Sequence, residues 1–428
     1  MRLATNTPVG AATAVAPMLA AVIEPLIGGE LPIRLIAWDG SVAGPAGAPV
    51  VWLRSAAALR RMLWRPSELG VAQAYVCGDL DVDGDLVVAL TQVWSQISER
   101  GLRPIRPSPA ALARLCAVAT RLGVLGGPLP PPASQVRMRG RLHSLSRDRA
   151  AISHHYDLSN EFYRLILDPS MAYSCAYWES FQSNTTLAQA QCDKLDRICR
   201  KVGLHEQGGM WLLDVGCGWG SLSLHAAEKY GAQVVGVTLS REQKAYIDAV
   251  VTQRGLENRV EIRVEDYRAI TDGPFDAAVS VEMGEHVGED NYPIYACILH
   301  RCVRPGGRVL VQQMSRRGSH PGGGPFIESF IAPDMHMRPL GQTLALLEDA
   351  GLSMISVEAM REHYVHTVDA WIDNLENRWD AAVELIGEEA ARVWRLYLAG
   401  GRIAFALGRM GVDQILLARP TAGARIAA

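Results

Sequence analysis

Apolar residues fall in two rhythms along this chain: short unbroken runs of strand length, and longer stretches with helical spacing. The run Trp211-Leu-Leu-Asp-Val215 stops at three alternating glycines, Gly216, Gly218 and Gly220, and Ser221 to Tyr230 follows with helical spacing. Strand-like runs recur at Gln233–Thr238 and Val260–Val264, the second ending at Glu265-Asp266, with helix-length segments between them. Strand, helix, strand, helix, strand predicts an α/β fold built on a doubly wound parallel sheet, with its ligand crevice at the carboxyl ends of the strands.

The flanking segments read differently. Pieces such as Ile33 to Trp38 and Val50–Leu53 alternate with turn signals such as Asp39-Gly40, and a helical pattern runs from Asp85 to Ser98. This predicts a smaller N-terminal α+β domain over 1–125. Gly126-Gly-Pro-Leu-Pro-Pro-Pro-Ala133 and the arginines after it, from Arg137 to Arg149, read as a stiff linker over 126–150, because consecutive prolines support neither helix nor ladder,. A catalytic domain over 151–428 follows, its pattern from Val368 to Leu407 predicting helices that cap the sheet and line an acyl pocket.

The glycine spacing narrows the ligand. Glycine turns with positive φ and leaves the backbone bare beside a helix N-terminus. Neither Lys nor Arg stands in the loop, and neither GxxxxGK[ST] nor GxGxxG is present,. The expected ligand is a nucleoside without phosphates, such as S-adenosylmethionine.

Composition trims the alternatives. A chain of 428 residues, nearly half apolar, exceeds one ordinary core,. A net charge of −3 argues against nucleic acid as a partner,. The eight cysteines lack zinc spacing and suit a reducing cytosol, so neither a metal nor disulfides are expected,. The apolar stretch from Pro8 to Gly29 is interrupted by Pro17, Glu24 and Pro25 and reads as an amphipathic or buried helix; any membrane contact is expected to be peripheral,.

Longer motifs carry a resemblance. Residues 153–178 read Ser-His-His-Tyr-Asp-Leu-Ser-Asn-Glu-Phe-Tyr-Arg-Leu-Ile-Leu-Asp-Pro-Ser-Met-Ala-Tyr-Ser-Cys-Ala-Tyr-Trp. With Leu213-Asp-Val-Gly-Cys-Gly-Trp-Gly220, Thr238-Leu-Ser-Arg-Glu-Gln243 and Glu285-His-Val-Gly288, the chain resembles the cyclopropane-fatty-acyl-phospholipid synthase family of methyltransferases. That resemblance implies a class I methyltransferase fold using S-adenosylmethionine. The cofactor is expected against Tyr156, Tyr173 and Ser174, the Asp214, Gly216, Gly218 and Gly220 turn, Thr238 and Gln243, and Asp266. It further implies a bicarbonate ion as proton acceptor, held by Cys175, Glu285 and Tyr364, with His286 among the candidate catalytic groups.

Two departures bear on the proton acceptor. Gln312 stands where cyclopropane synthases carry histidine, which puts the bicarbonate site in question, and Glu282 stands where they generally carry glycine. Two carboxylates three residues apart can meet on one side of a helical turn, and like charges in a low-dielectric pocket push one pKa upward. Glu282 is therefore expected to supply the carboxylate otherwise brought by bicarbonate.

With Ile331-Ala-Pro-Asp-Met-His-Met-Arg338, these departures resemble the branch that makes tuberculostearate-type methyl-branched chains. The resemblance implies an unsaturated phospholipid as substrate at the membrane surface, a 10-methylene product and a separate flavin-dependent reductase that saturates it. A cyclopropane synthase and a lipid-binding protein with a degenerate methyltransferase domain are the alternatives; whether the chain forms a homo-oligomer is left open.

Overall fold

The computed structural model describes residues 14–101, 108–136, 147, 159–181, 185–205, 208–317 and 322–421. It divides into two compact units, one of residues up to Gln135 together with Glu388–Gly400, the other of Val136–Gly387 and the residues from Gly401 on. Residues 388–400, expected in the catalytic domain, thus group with the first unit. The reason lies in Arg392, whose guanidinium donates to the carbonyls of Tyr75 (2.7 Å) and Leu80 (3.1 Å) and to Asp81 (3.2 Å).

In the first unit a four-stranded sheet runs in the order β2-β1-β3-β4, formed by Arg34–Ala37 (β1), Val42–Ala43 (β2), Val50–Leu53 (β3) and Leu80–Val82 (β4). The helix Val15–Ile27 buries Val15, Ala16, Leu19 and Ala20 in a core shared with Leu35, Ala37 and Leu53. The proline-rich stretch is tied down by donors from the helix Ala56–Trp64: Arg60 to Gly127 O (2.7 Å), Arg61 to Pro130 O (3.0 Å) and Trp64 to Gly126 O (2.8 Å). A run rich in proline has few N–H groups to pair its own carbonyls, and here those of Gly126, Gly127 and Pro130 are satisfied by side chains,.

The second unit holds the predicted sheet. Trp211–Val215 (β5), Gln233–Thr238 (β6), Val260–Val264 (β7), Phe275–Val281 (β8), Val303–Arg316 (β9), Ser353–Ala359 (β10) and Met410–Ala418 (β11) run in the order β10-β11-β9-β8-β5-β6-β7. β5 to β9 are parallel, while β11 joins β9 and β10 joins β11 in antiparallel register. Leu212, Leu213 and Val215 are fully buried, as a parallel sheet covered on both faces requires,. The strand order reverses at β5, so the crevice opens at the carboxyl ends of β5 and β8.

The helix Leu187–Lys201, capped by Thr186, brings Ala190, Gln191, Lys194 and Ile198 inward on one face,. From it Gln191 Nε2 donates to the carbonyls of Ala172 (3.1 Å) and Ser174 (2.9 Å), pinning the Tyr173-Ser174-Cys175 segment over the crevice.

Candidate active site

The crevice is a cavity of about 140 Å³ at the end of β5. Gly216 (φ 80°), Gly218 (φ 55°) and Gly220 (φ 78°) all adopt the left-handed conformation. A Cβ on Gly216 would lie 2.6 Å from Met283 Cγ, so the wall closes if any side chain stands there. Gly220 begins the helix Ser221–Tyr230 and packs on Ile247 behind the cavity.

Tyr173, Ser174, Asp214, Gly216 and Gly218 line this cavity, and Thr238, Gln243 and Asp266 belong to the same lining. Asp214 is buried and accepts from Ser223 Oγ at 2.7 Å; burial pushes its carboxyl up to about 6. Thr238 Oγ1 donates to Gln243 Oε1 at 2.6 Å. The Asp266 carboxylate is gripped by the Arg268 guanidinium (2.7 Å on each oxygen), a partner the sequence reading did not foresee. Tyr156 and the segments 137–146 and 148–158 lie outside the described residues.

The candidate proton-transfer groups converge on one carboxylate. Glu282 Oε1 accepts from the Cys175 backbone N–H (2.8 Å) and from Gln312 Nε2 (2.7 Å), while Tyr364 Oη donates to Oε2 (2.7 Å). Of the three residues the resemblance assigned to a bicarbonate ion, Cys175 and Tyr364 donate instead to Glu282, Gln312 joins them, and Glu285 stands apart; with those donors taken, the residues present do not fit bicarbonate. Cys175 contributes its amide and not its sulfur: burial pushes the thiol well up, and Sγ faces the carbonyls of Ala176 and Met360.

The two glutamates do not share a helical turn. Glu282 follows β8 with φ 50°, a left-handed conformation that glycine tolerates far better, and a short 3₁₀ turn begins only at Gly284,. Glu285 sits behind, 1 % exposed, its Oε1 accepting from the Met314 N–H. Burial raises the Glu282 carboxyl, against the pull of Tyr364, Cys175 and Gln312; burial and the Glu282 charge push Glu285 up to about 8. Like charges this close disfavour double ionisation, and Glu285 is the member pushed toward its neutral form,. His286 lines the cavity beside them.

An outer layer sets the orientation of Gln312. Lys201 Nζ donates to Gln414 Oε1 (2.6 Å), Gln414 Nε2 donates to Gln312 Oε1 (2.9 Å), and the Gln312 amide nitrogen is thereby left to face Glu282,. Gln414, Lys201 and Gln191 were missed by the sequence reading, as was Lys194, which lies in the cavity wall.

Comparison with known proteins bears on this site. The family model described as mycolic acid cyclopropane synthetase matches residues 143–415. The chain is 37% identical over 412 residues to a probable fatty acid methyltransferase of Pseudomonas putida, covering 95% of this chain and 96% of that protein. It is 32% identical over 410 residues to the tuberculostearic acid methyltransferase UfaA1 of Mycobacterium tuberculosis, covering 91% and 88%. Among solved structures, mycolic acid cyclopropane synthase CmaA1 complexed with SAH and CTAB superposes with a TM-score of 0.59 at 32% identity, over 63% of this chain and 98% of that one.

Proposed function

The chain belongs to the mycolic acid cyclopropane synthetase family, and on that premise we propose that it transfers a methyl group from S-adenosylmethionine to the cis double bond of an unsaturated phospholipid acyl chain, leaving a 10-methylene chain. The glycine turn supports the choice of cofactor: left-handed Gly216 and Gly218, with no room for a side chain at Gly216, leave bare backbone for a nucleoside, and Thr238, Gln243 and Asp266 offer polar atoms for its ribose and base. When bound, S-adenosylmethionine supplies a methyl group on a positively charged sulfur.

One observation carries the reading of the chemistry: the Glu282 carboxylate on the cavity wall, held by the Cys175 N–H, Gln312 and Tyr364. Methylating an alkene leaves positive charge on the acyl chain and one proton to remove. Glu282 meets both needs, as a fixed negative charge in a low-dielectric site and as a base strengthened by burial, which raises its carboxyl above the usual range,. After a hydride shifts to the neighbouring carbon, a C–H bond of the new methyl breaks, its electron pair forms the double bond from the chain carbon to the new methylene carbon, and the proton passes to Glu282. Tyr364 Oη and Gln312 Nε2 hold the carboxylate in place through the transfer.

Among the described residues no helix is long and apolar enough to cross a membrane. On this reading the phospholipid substrate is met at the membrane surface, and a separate flavin-dependent reductase saturates the methylene product. The test is incubation with monounsaturated phospholipid vesicles and S-adenosylmethionine, followed by NMR of the acyl chains. Vinylidene protons are expected; upfield ring protons make the chain a cyclopropane synthase, and no gain of CH₂ removes the proposed activity.

A further inference from the structure

Among the described residues Lys194 is a buried charge that the proposed chemistry leaves unexplained. It is 1 % exposed, it lies in the wall of the cofactor cavity, and its Nζ donates to Ser174 Oγ at 2.8 Å. An ammonium carries three donors. Among the described residues no carboxylate lies within ion-pair distance of it. The neighbouring acids are engaged elsewhere: Asp214 with Ser223, Glu282 with Cys175, Gln312 and Tyr364, and Asp168 with the amides of Ser170 and Ala172. Arg268, another cation of the cavity wall, grips Asp266.

A buried ammonium without an anion is costly, and burial accordingly lowers the Lys194 pKa,. The Glu282, Asp168 and Asp214 carboxylates offset part of that cost from beyond ion-pair distance, and an anion entering the cavity would offset more. The cofactor proposed above has one carboxylate, that of its methionyl part.

The geometry points to Lys194, together with Ser174, as the receptor for the α-carboxylate of the bound cofactor. This rests on S-adenosylmethionine being the ligand. It orients the ligand in the cavity: the amino-acid end lies at the Ser174 side, and the nucleoside end lies toward Thr238 and Asp266. Lys194 is in this account a binding residue, and nothing in the proton transfer passes through it.

Calorimetry on the full chain, with S-adenosylhomocysteine and with its decarboxylated analogue, separates this role from a merely structural one. The wild-type protein is expected to bind S-adenosylhomocysteine roughly thirtyfold more tightly than the analogue, the size of a charge-assisted hydrogen bond. Lys194→Met should abolish most of that ratio by weakening S-adenosylhomocysteine while leaving the analogue unchanged, and Lys194→Arg should keep part of it. Equal affinity of the wild type for both ligands, or a proportional loss of both in Lys194→Met, overturns the assignment while leaving the cofactor class standing. Binding of neither ligand overturns the cofactor class with it. If Lys194→Met fails to fold, as read by circular dichroism, the wild-type ratio decides alone.

Discussion

Replacing Glu282 by glutamine isolates proton removal from everything else the side chain does. In the wild type Oε1 accepts from Cys175 N and Gln312 Nε2, and Oε2 accepts from Tyr364 Oη. A glutamine carbonyl in the place of Oε1 keeps the first two bonds, and its amide nitrogen can donate to Tyr364, whose hydroxyl rotates to accept. Shape and hydrogen bonds survive; the charge and the basicity do not. General-base catalysis is worth about 10²–10⁴-fold, so kcat for Glu282→Gln should fall by that factor, with the Kd for S-adenosylhomocysteine within about twofold of wild type. The assay is single-turnover transfer of labelled methyl to phospholipid vesicles, beside calorimetry. A kcat within about threefold of wild type would refute the role of Glu282, as would a loss of kcat matched by an equal loss of affinity. Glu282→Gly adds a positive control: it opens the donor set formed by Cys175, Gln312 and Tyr364, and millimolar formate or bicarbonate should then restore part of the activity.

Two further outcomes follow from the same groups. Glu285, at about 8 against the usual 4.5, binds a proton in the folded chain that the unfolded chain has lost; its contribution to stability is full below about 4.5 and disappears as pH rises through 8,. Glu285→Gln should therefore raise the melting temperature at pH 9 but hardly at pH 4, and a pH-independent difference in thermal melts would contradict this. Gln414→Leu frees the Gln312 amide to flip its oxygen toward Glu282; kcat should drop about three- to tenfold with the KM for S-adenosylmethionine unchanged, and an unaltered kcat would remove the relay from the account,.

Much of the site was legible because strand ends and glycines are local signals. Asp214, the glycine turn, Thr238 and Asp266 each stand at or just past the end of a parallel strand, where an α/β sheet must present its ligand,. Glu282 and Gln312 were visible as departures from a family pattern, although their contact at 2.7 Å was not. Lys194 and Gln191 were hidden because a lysine or glutamine on a helix ordinarily reads as solvated. The signal was present nonetheless: Lys194 falls four residues from both Ala190 and Ile198, on the apolar stripe of its helix,. Gln414 could not be found that way, since β11 reaches Gln312 only through antiparallel pairing set by the tertiary fold. The grouping of 388–400 with the first unit was equally out of reach, because Arg392 finds its acceptors more than 300 positions away.

The two departures at 282 and 312 make sense only as a pair. A residue other than glycine at φ 50° costs on the order of 1–3 kcal/mol in backbone strain, and burying a carboxylate adds to it,. What offsets both is a donor set built for that carboxylate. The Glu282 N–H donates to Gln312 O at 2.7 Å, and the Gln312 side chain returns a donor to Glu282 Oε1, so position 312 clamps both the backbone and the side chain of position 282. A glutamine also faces Cys175 O (3.3 Å) while its oxygen is taken by Gln414, three contacts from one amide that a neutral imidazole, with one donor and one acceptor, cannot reproduce,. A tethered base, unlike a dissolved ion, is present at every turnover without a binding step of its own. On the proposed reading the strain at Glu282 is the local cost of carrying the proton acceptor in the chain, and Gln312, beside it on β9, holds both its backbone and its carboxylate in place.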